Sequence, residues 1–216
     1  MKHLLVSVAL IAFALLTPLP HGSWARAEAP KPSIYPKSWE LKFEHQVPKR
    51  VVVQLPTTSI PQPYWYMTYT VTNLSSQEQM WLPSFDMMLK DGRVIRSDLG
   101  IPAKVFETIK AREKKRFLEP YPQIQGELRI GEDQAKDGVA IWPEPMNEMG
   151  QFSIFVGGLS GEAIIPKDSK GEPLKGADGK PAILRKTLQL NFLIRGDEVY
   201  PGTDIVNEKA QEWVMR

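Results

Sequence analysis

The chain has 216 residues, no cysteine and a formal net charge of +2. The absence of cysteine excludes disulfide bonds, thiolate metal sites, cysteine nucleophiles and lipid attachment at a cysteine. A chain of this length can bury a sufficient hydrophobic core without such covalent links.

The first 27 residues have the pattern of a secretory signal peptide. A short basic start, Lys2-His3, precedes an apolar run over residues 4–16, and Ala25-Arg26-Ala27 provides a small-x-small cleavage site. The apolar run is too short to span a bilayer comfortably, so we expect cleavage before Glu28 rather than a retained anchor. The protein is therefore expected to be periplasmic or secreted, with no membrane span after cleavage and with a disordered or helical signal segment.

Removal of residues 1–27 changes the charge balance of the chain. It takes away Lys2 and Arg26 and no acidic residue, so that the 27 basic residues fall to 25 and equal the 25 acidic ones. A nucleic-acid-binding protein normally carries a basic excess that replaces phosphate counterions. We therefore expect no nucleic-acid partner.

Residues 28–37 are rich in proline and predict an extended lead-in. A period of two then indicates strands, most clearly over residues 64–73. There one face carries apolar and aromatic side chains, namely Trp65, Met67, Tyr69 and Val71. The opposite face carries two further tyrosines and three threonines, namely Tyr64, Tyr66, Thr68, Thr70 and Thr72.

Later segments continue this pattern with one interruption. Asp91-Gly92 predicts a hairpin turn, and a helix is predicted near residues 102–115, where Pro102 suits a first helical position. The Gly- and Lys-rich segment 167–181 is typical of a mobile loop. Residues 183–195 predict a long strand.

Many short strands with a single helix favour an all-β, antiparallel sandwich. We expect one domain over residues 38–216, with the helix inserted in it.

Two segments resemble parts of exported bacterial immunoglobulin-like domains. Residues 69–73 with 85–92 are similar to the middle hairpins of such domains, and Gly131-Glu132 with residues 138–142 is similar to a later strand. The resemblance covers about residues 64–196 and implies an immunoglobulin-like sandwich. It is a resemblance to uncharacterised exported proteins, and it implies neither a reaction nor site residues.

Few side chains are suited to catalysis or metal binding. His45 is the one histidine left after signal cleavage, and no partner motif flanks it, so we expect a packed or rim histidine. Gly157-Gly158-Leu159-Ser160-Gly161 fails the spacing of a nucleophile elbow and is expected to be a turn. A copper(I) site would need the thioethers of Met87, Met88, Met146 and Met149 with His45, but methionines more commonly fill cores. We expect no cofactor and no metal.

Carboxylates remain as candidates for acid–base chemistry. A glycosidase needs only a carboxylate pair, but no sequence spacing identifies such a pair among the acidic residues. Those considered are Asp86, Asp91, Asp98, Glu132 and Asp133.

Aromatic side chains are the most informative positive feature. If Trp65 and Tyr69 face the core, alternation sends Tyr64 and Tyr66 outward, where flat rings can stack on sugars or contact a partner. Trp81 is a further candidate for such a ligand-binding surface. The alternative is that the helix near residues 102–115 covers the tyrosines.

The sequence predicts a non-enzymatic exported interaction or structural module. Its candidate partners are another envelope protein or a polysaccharide. A carbohydrate-binding module that uses Tyr64, Tyr66 and Trp81 is the alternative, and a carboxylate-dependent glycosidase is the weaker one.

Overall fold

The computed structural model describes residues 30–145, 150–194 and 206–216. Within these ranges the chain forms two α-helices, α1 (Ala103–Glu113) and α2 (Tyr121–Ile124), and β-strands that are distributed over three sheets. In chain order the strands are β1 (Lys42–His45), β2 (Lys49–Val53), β3 (Gln62–Thr72), β4 (Gln79–Trp81), β5 (Ser84–Leu89), β6 (Val94–Arg96), β7 (Leu118–Glu119), β8 (Gly126–Leu128), β9 (Lys136–Pro143), β10 (Gln151–Gly157), β11 (Ala163–Ile164), β12 (Leu184–Ile194), β13 (Val206–Glu208) and β14 (Glu212–Met215).

The first sheet is built around β3, an 11-residue strand. One edge of β3 pairs with β9, and the other edge pairs with β2 and then β1, all antiparallel. The two-residue strand β7 adds to the far edge of β9 in a parallel pair. β3 is therefore flanked on both sides along most of its length, which places its side chains at the centre of the sheet.

The second sheet is built around β12, which also has 11 residues. It continues from β12 through β10 and β5 to β6, with antiparallel pairing throughout. β11, β13 and β14 also pair with β12, while β4 and β8 form a separate two-stranded sheet. The C-terminal residues, for which the sequence predicts no definite state, thus form a strand of this sheet.

The two large sheets share one hydrophobic core. Alternate side chains of β3 and β9 meet alternate side chains of β5, β10 and β12 in a single buried cluster, as the period of two requires. The largest side chains of this cluster are Trp65, Trp142, Trp81, Tyr69, Phe85, Phe152 and Phe192. The prediction of a mostly antiparallel β-fold is confirmed, and the shared core is consistent with a β-sandwich.

Helix α1 lies within the segment for which a helix is predicted. Pro102 precedes its first turn with an extended backbone, and Lys114 ends it in the left-handed conformation with φ 54°. Val105, Phe106 and Ile109 form its buried face. The four-residue helix α2 is not predicted by the sequence, because one turn is too short to show a helical period.

Other predicted segments have mixed outcomes. Asp91-Gly92 forms the turn between β5 and β6, with Gly92 at φ 87°. Segment 167–181 contains two hydrogen-bonded turns, and its mobility stays a prediction. Residues 30–37 contain no helix or strand, as expected for the lead-in. The predicted signal peptide, Met146 and Met149 lie outside the described residues.

Candidate functional site

The structure buries Tyr64 and Tyr66 beneath helix α1 and so confirms the alternative in which the helix covers them. Tyr64 is 7 % exposed and Tyr66 is 1 % exposed. Both belong to a second apolar cluster, which α1 covers through Val105, Phe106 and Ile109. The other interpretation, exposed rings on this face of β3, does not hold, because alternation decides which face a side chain takes and not whether another element covers that face.

Tyr66 is also held by a charged hydrogen bond. Its hydroxyl donates to Glu113 Oε1 at 2.7 Å, and Lys49 Nζ donates to the same carboxylate at 3.0 Å. Burial opposes ionisation of Glu113, but the bonds from Tyr66 and Lys49 outweigh it and hold the pKa of Glu113 below its usual value. The phenol is therefore a structural contact between β3 and α1.

Trp81 is buried as well, with 0 % exposure. Its ring packs edge-on against Tyr69, with 5.9 Å between the ring centroids. The strand that carries it, β4, pairs with β8 and turns this side chain into the shared core. Trp81 therefore cannot present a flat ring to a sugar.

His45 and the glycine-rich segment behave as ordinary structural features. His45 Nε2 lies 3.4 Å from a carboxylate oxygen of Glu208, and Nδ1 lies 3.2 Å from the Gln46 carbonyl oxygen. The hydroxyl of Ser160 accepts a hydrogen bond from the backbone N–H of Glu162, as in a turn. Among the described residues, no three His, Cys, Asp or Glu side chains converge as a metal site.

The candidate carboxylates are dispersed. Asp86 lies in a groove on the second sheet, and Asp98 lies in a separate pocket beside α1. Asp91 stabilises the β5–β6 turn by accepting from Arg93, which holds the pKa of Asp91 below its usual value. Glu132 and Asp133 are exposed.

A concave surface lies on the outer face of the second sheet. It has a volume of about 540 Å³ and is lined by neighbouring outward side chains of β5, β10 and β12. Such a volume is within the usual range for ligand pockets. We call it the arginine groove, and its defining residues are Trp39, Asp86, Phe155, Arg185 and Arg216.

Two arginines are placed together in this groove by strand pairing. The backbones of Arg185 and Arg216 exchange N–H to carbonyl hydrogen bonds of 2.7 and 3.0 Å. The guanidinium of Arg216 lies 4.4 Å from the centroid of the Phe155 ring, and its Nη1 lies 3.4 Å from Asp86 Oδ2. The lining of the groove therefore contains two arginines and one aspartate, and it is the Arg216 guanidinium that pairs with Asp86.

Apolar side chains form part of the same surface. Met80 is 66 % exposed and Leu82 is 61 % exposed, and both line the groove. At its end, Gly158 adopts φ 82°, and a Cβ there would lie 2.7 Å from the Leu82 carbonyl oxygen. This turn of the chain therefore requires glycine.

The sequence gives only a weak signal for the arginine groove. Arg185 falls on the polar face of the predicted strand over residues 183–195, but nothing in the pattern joins it to Asp86 or Arg216. These residues meet only through long-range pairing of β5, β10, β12 and β14.

Comparisons with known proteins found no matching family model, no similar curated protein and no similar solved structure. Within the described ranges, no helix is long and apolar enough to cross a membrane. Function is therefore inferred from geometry and chemistry.

Proposed function

We propose that this chain is an exported, non-enzymatic module with an immunoglobulin-like β-sandwich fold that binds a partner protein of the cell envelope through the arginine groove. Export is supported by the signal-peptide pattern of residues 1–27. The sandwich is supported by the core that the two sheets share. The observation that carries the binding function is the pairing of Arg185 and Arg216 beside exposed apolar side chains.

The composition of the groove favours a protein as the partner. Aromatic residues, methionine and arginine are enriched in protein–protein interfaces, whereas lysine and glutamate are depleted. The groove combines Trp39 and Phe155 with Arg185 and Arg216, and Met80 projects from its rim. An apolar side chain of a partner would cover Met80 and Leu82.

The charges favour a carboxylate on that partner. The ion pair between Arg216 and Asp86 is partly exposed, and such pairs contribute only about 0–1 kcal/mol. A second carboxylate therefore has little to displace, and it gains two neighbouring guanidinium groups, which bind carboxylates in a bidentate manner. We infer an acidic side chain next to an apolar one as the recognised feature.

The two alternative functions have less support. A sugar platform built from Tyr64, Tyr66 and Trp81 has little support, since all three rings are buried. For a glycosidase, Asp98 and Glu107 do line one pocket. However, most of the walls of that pocket are apolar side chains and prolines, which offer few hydrogen bonds to sugar hydroxyls.

Site-specific photo-crosslinking in cells that naturally produce the chain tests the proposal. A photoreactive amino acid replaces Met80 on the rim of the groove, and the same replacement at Val52 serves as the control, since Val52 is also half exposed but lies on β2. We expect a protein adduct from position 80 and none from position 52. Arg185→Glu with Arg216→Glu should remove the adduct, whereas Arg129→Glu, at another exposed arginine, should leave it.

Three results would contradict the proposal. The first is equal crosslinking from both positions, and the second is an adduct that persists after both arginine replacements. The third is an adduct that resists proteases but is degraded by glycosidases, which would favour a polysaccharide partner. Specific turnover by the purified chain in a hydrolase screen would contradict the non-enzymatic function.

A further inference from the structure

A second cavity, the Asp98 pocket, lies beside the first turn of α1 and has a volume of about 330 Å³. It is distinct from the arginine groove, since the two share no lining residue. The side chains that define it are Asp98, Ile101, Phe106, Glu107, Tyr121 and Ile141.

The backbone holds Asp98 firmly at this pocket. Asp98 has φ 62°, a left-handed conformation that aspartate tolerates better than most residues, and its N–H donates to the Ile141 carbonyl oxygen at 2.7 Å. The hydroxyl of Ser97 and the backbone of Ile141 hydrogen-bond to its carboxyl group. The carboxyl group is therefore fixed from β9 and from its own turn.

One oxygen of this carboxyl group has no partner. Asp98 Oδ2 is buried and makes no hydrogen bond. This oxygen is closed off from solvent, so a ligand would meet the carboxyl group through the part of Asp98 that lines the pocket, and a cationic donor there would favour its charged form. Asp98 is not placed there as a helix cap, because no side chain caps the start of α1.

The other lining residues indicate which kind of hydrogen-bond donor fits the pocket. Two lining side chains are carboxylic acids, Asp98 and Glu107, and none of the described lining residues is Lys, Arg or His. Ile101, Phe106 and Ile141 provide apolar and aromatic surface. A cationic donor on an apolar body fits both the charge and the surface of this pocket.

We propose that the Asp98 pocket binds a primary ammonium group on a small apolar body, with the Asp98 carboxylate accepting hydrogen bonds from the ammonium. Such a group can belong to a free small amine or to a lysine side chain of a partner. The site is separate from the arginine groove and does not depend on the function proposed for that groove.

The titration of Asp98 makes the site dependent on pH. Burial raises the pKa of Asp98 to about 7, against the hydrogen bonds from Ser97 and Ile141, which favour the charged form. The other titratable groups around it are Glu107 and Tyr121, which line the pocket, and Tyr69, whose hydroxyl interacts with the charges of Asp98 and Glu119. Because an ammonium ion needs the ionised carboxylate, its affinity should rise from about pH 6 to about pH 8.

Nuclear magnetic resonance titration of the purified chain tests the proposal. The probes are benzylammonium, its neutral analogue benzyl alcohol, the anion phenylacetate, and N-acetyl-lysine methylamide as a lysine side chain. We expect benzylammonium to shift the amide resonances of Ile101, Phe106 and Ile141, with an affinity about tenfold or more above those of benzyl alcohol and phenylacetate. Stronger binding of the lysine derivative would identify a partner lysine as the source, and stronger binding of benzylammonium a free amine.

Two variants distinguish a specific contribution of Asp98 to binding from the effect of negative charge anywhere in the pocket. Asp98→Asn keeps the shape and the tolerance of positive φ, and it should weaken benzylammonium binding about tenfold or more. Glu107→Gln removes the more exposed carboxylate and should change the affinity less than about twofold. Equal binding of benzylammonium and benzyl alcohol, an unchanged affinity in Asp98→Asn, or the absence of a rise with pH in the unmodified chain would each overturn the proposal.

Discussion

Asp98 is a carboxylic acid whose surroundings favour the neutral form. Its pKa is raised from 3.8 to about 7, chiefly by burial. The folded state therefore binds a proton more tightly than the unfolded state. The contribution of Asp98 to stability is fully present below about pH 3.8 and is lost as the pH rises through about 7.

The replacement Asp98→Asn should remove this pH dependence. The free energy of unfolding of the variant, relative to the unmodified chain, should rise by about 2–3 kcal/mol between about pH 5 and pH 8. Urea unfolding at the two pH values measures it. Asp91→Asn is the control: hydrogen bonds from Arg93 lower the pKa of Asp91, so its contribution is lost only at more acidic pH, and the variant should run parallel to the unmodified chain between about pH 5 and pH 8. A parallel pH dependence in Asp98→Asn and the unmodified chain would contradict the assignment.

For single residues, the sequence predicts which face of a strand a side chain lies on, but not whether that face is buried. The alternation around Tyr66 correctly separates it from the core that Trp65 enters. Its burial depends on α1, which lies some 40 positions further along the chain and is brought over the sheet by the tertiary fold. Local periodicity contains no information on such a cover.

Helix α1 is the element that the sequence predicts best. Pro102 before the first turn and apolar residues four apart are local signals, so they do not depend on the rest of the fold. The β5–β6 hairpin is predicted for the same reason, through Asp91-Gly92. Elements of two to four residues, such as α2 and β7, carry no periodic signal and were not predicted.

The end of α1 offers a test at the scale of one element. Lys114 closes the helix in the left-handed conformation, which disfavours residues with a Cβ atom. Lys114→Gly should therefore stabilise the protein by about 0.5–1 kcal/mol. Ala111→Gly, at an exposed position inside the last turn, should destabilise it by up to about 1 kcal/mol. Thermal unfolding of both variants measures the pair, and a loss of stability in Lys114→Gly would show that its side chain is required there.

A buried lysine connects three parts of the molecule that are far apart in sequence. Lys186 lies on the core side of β12 with 3 % exposure, and it pairs with Glu40 and with Glu162. Ser33 of the lead-in donates its N–H and its hydroxyl to the same Glu162. These bonds, from Ser33 first, hold the pKa of Glu162 below its usual value despite burial. The lead-in, the residues before β1 and the second sheet thus meet at one set of charges.

Lys186→Met should destabilise the protein strongly. It leaves the carboxylates of Glu40 and Glu162 without their cation, and removal of one partner of a buried ion pair typically costs about 3–5 kcal/mol. Lys42→Met, at an exposed lysine that pairs with Glu44, should change the free energy of unfolding by less than about 0.5 kcal/mol. Chemical unfolding of the two variants provides the comparison, and similar losses in both would contradict the structural role of Lys186.

This charge cluster could not be predicted from the sequence, because it depends on contacts between distant segments. Alternation in residues 183–195 predicts a buried face, and an apolar residue is expected at position 186 between Leu184 and Leu188. The lysine there is explained only by acidic groups from distant parts of the chain. The arginine groove and the Asp98 pocket were missed for the same reason, because each is assembled from segments that are far apart in sequence.

The pairing of β12 has a consequence beyond stability. Leu188 and Gln189 each pair with β10 on one side and with β14 on the other, and Phe192 pairs with both β10 and β13. Residues 206–216 therefore occupy backbone donors and acceptors that an unpaired strand would offer to any neighbouring molecule. If this short segment detached, the edge of β12 over residues 186–189 and 192–194 would become open, and chains could add to one another edge to edge. The last strands thus cover a strand edge at which chains could otherwise associate.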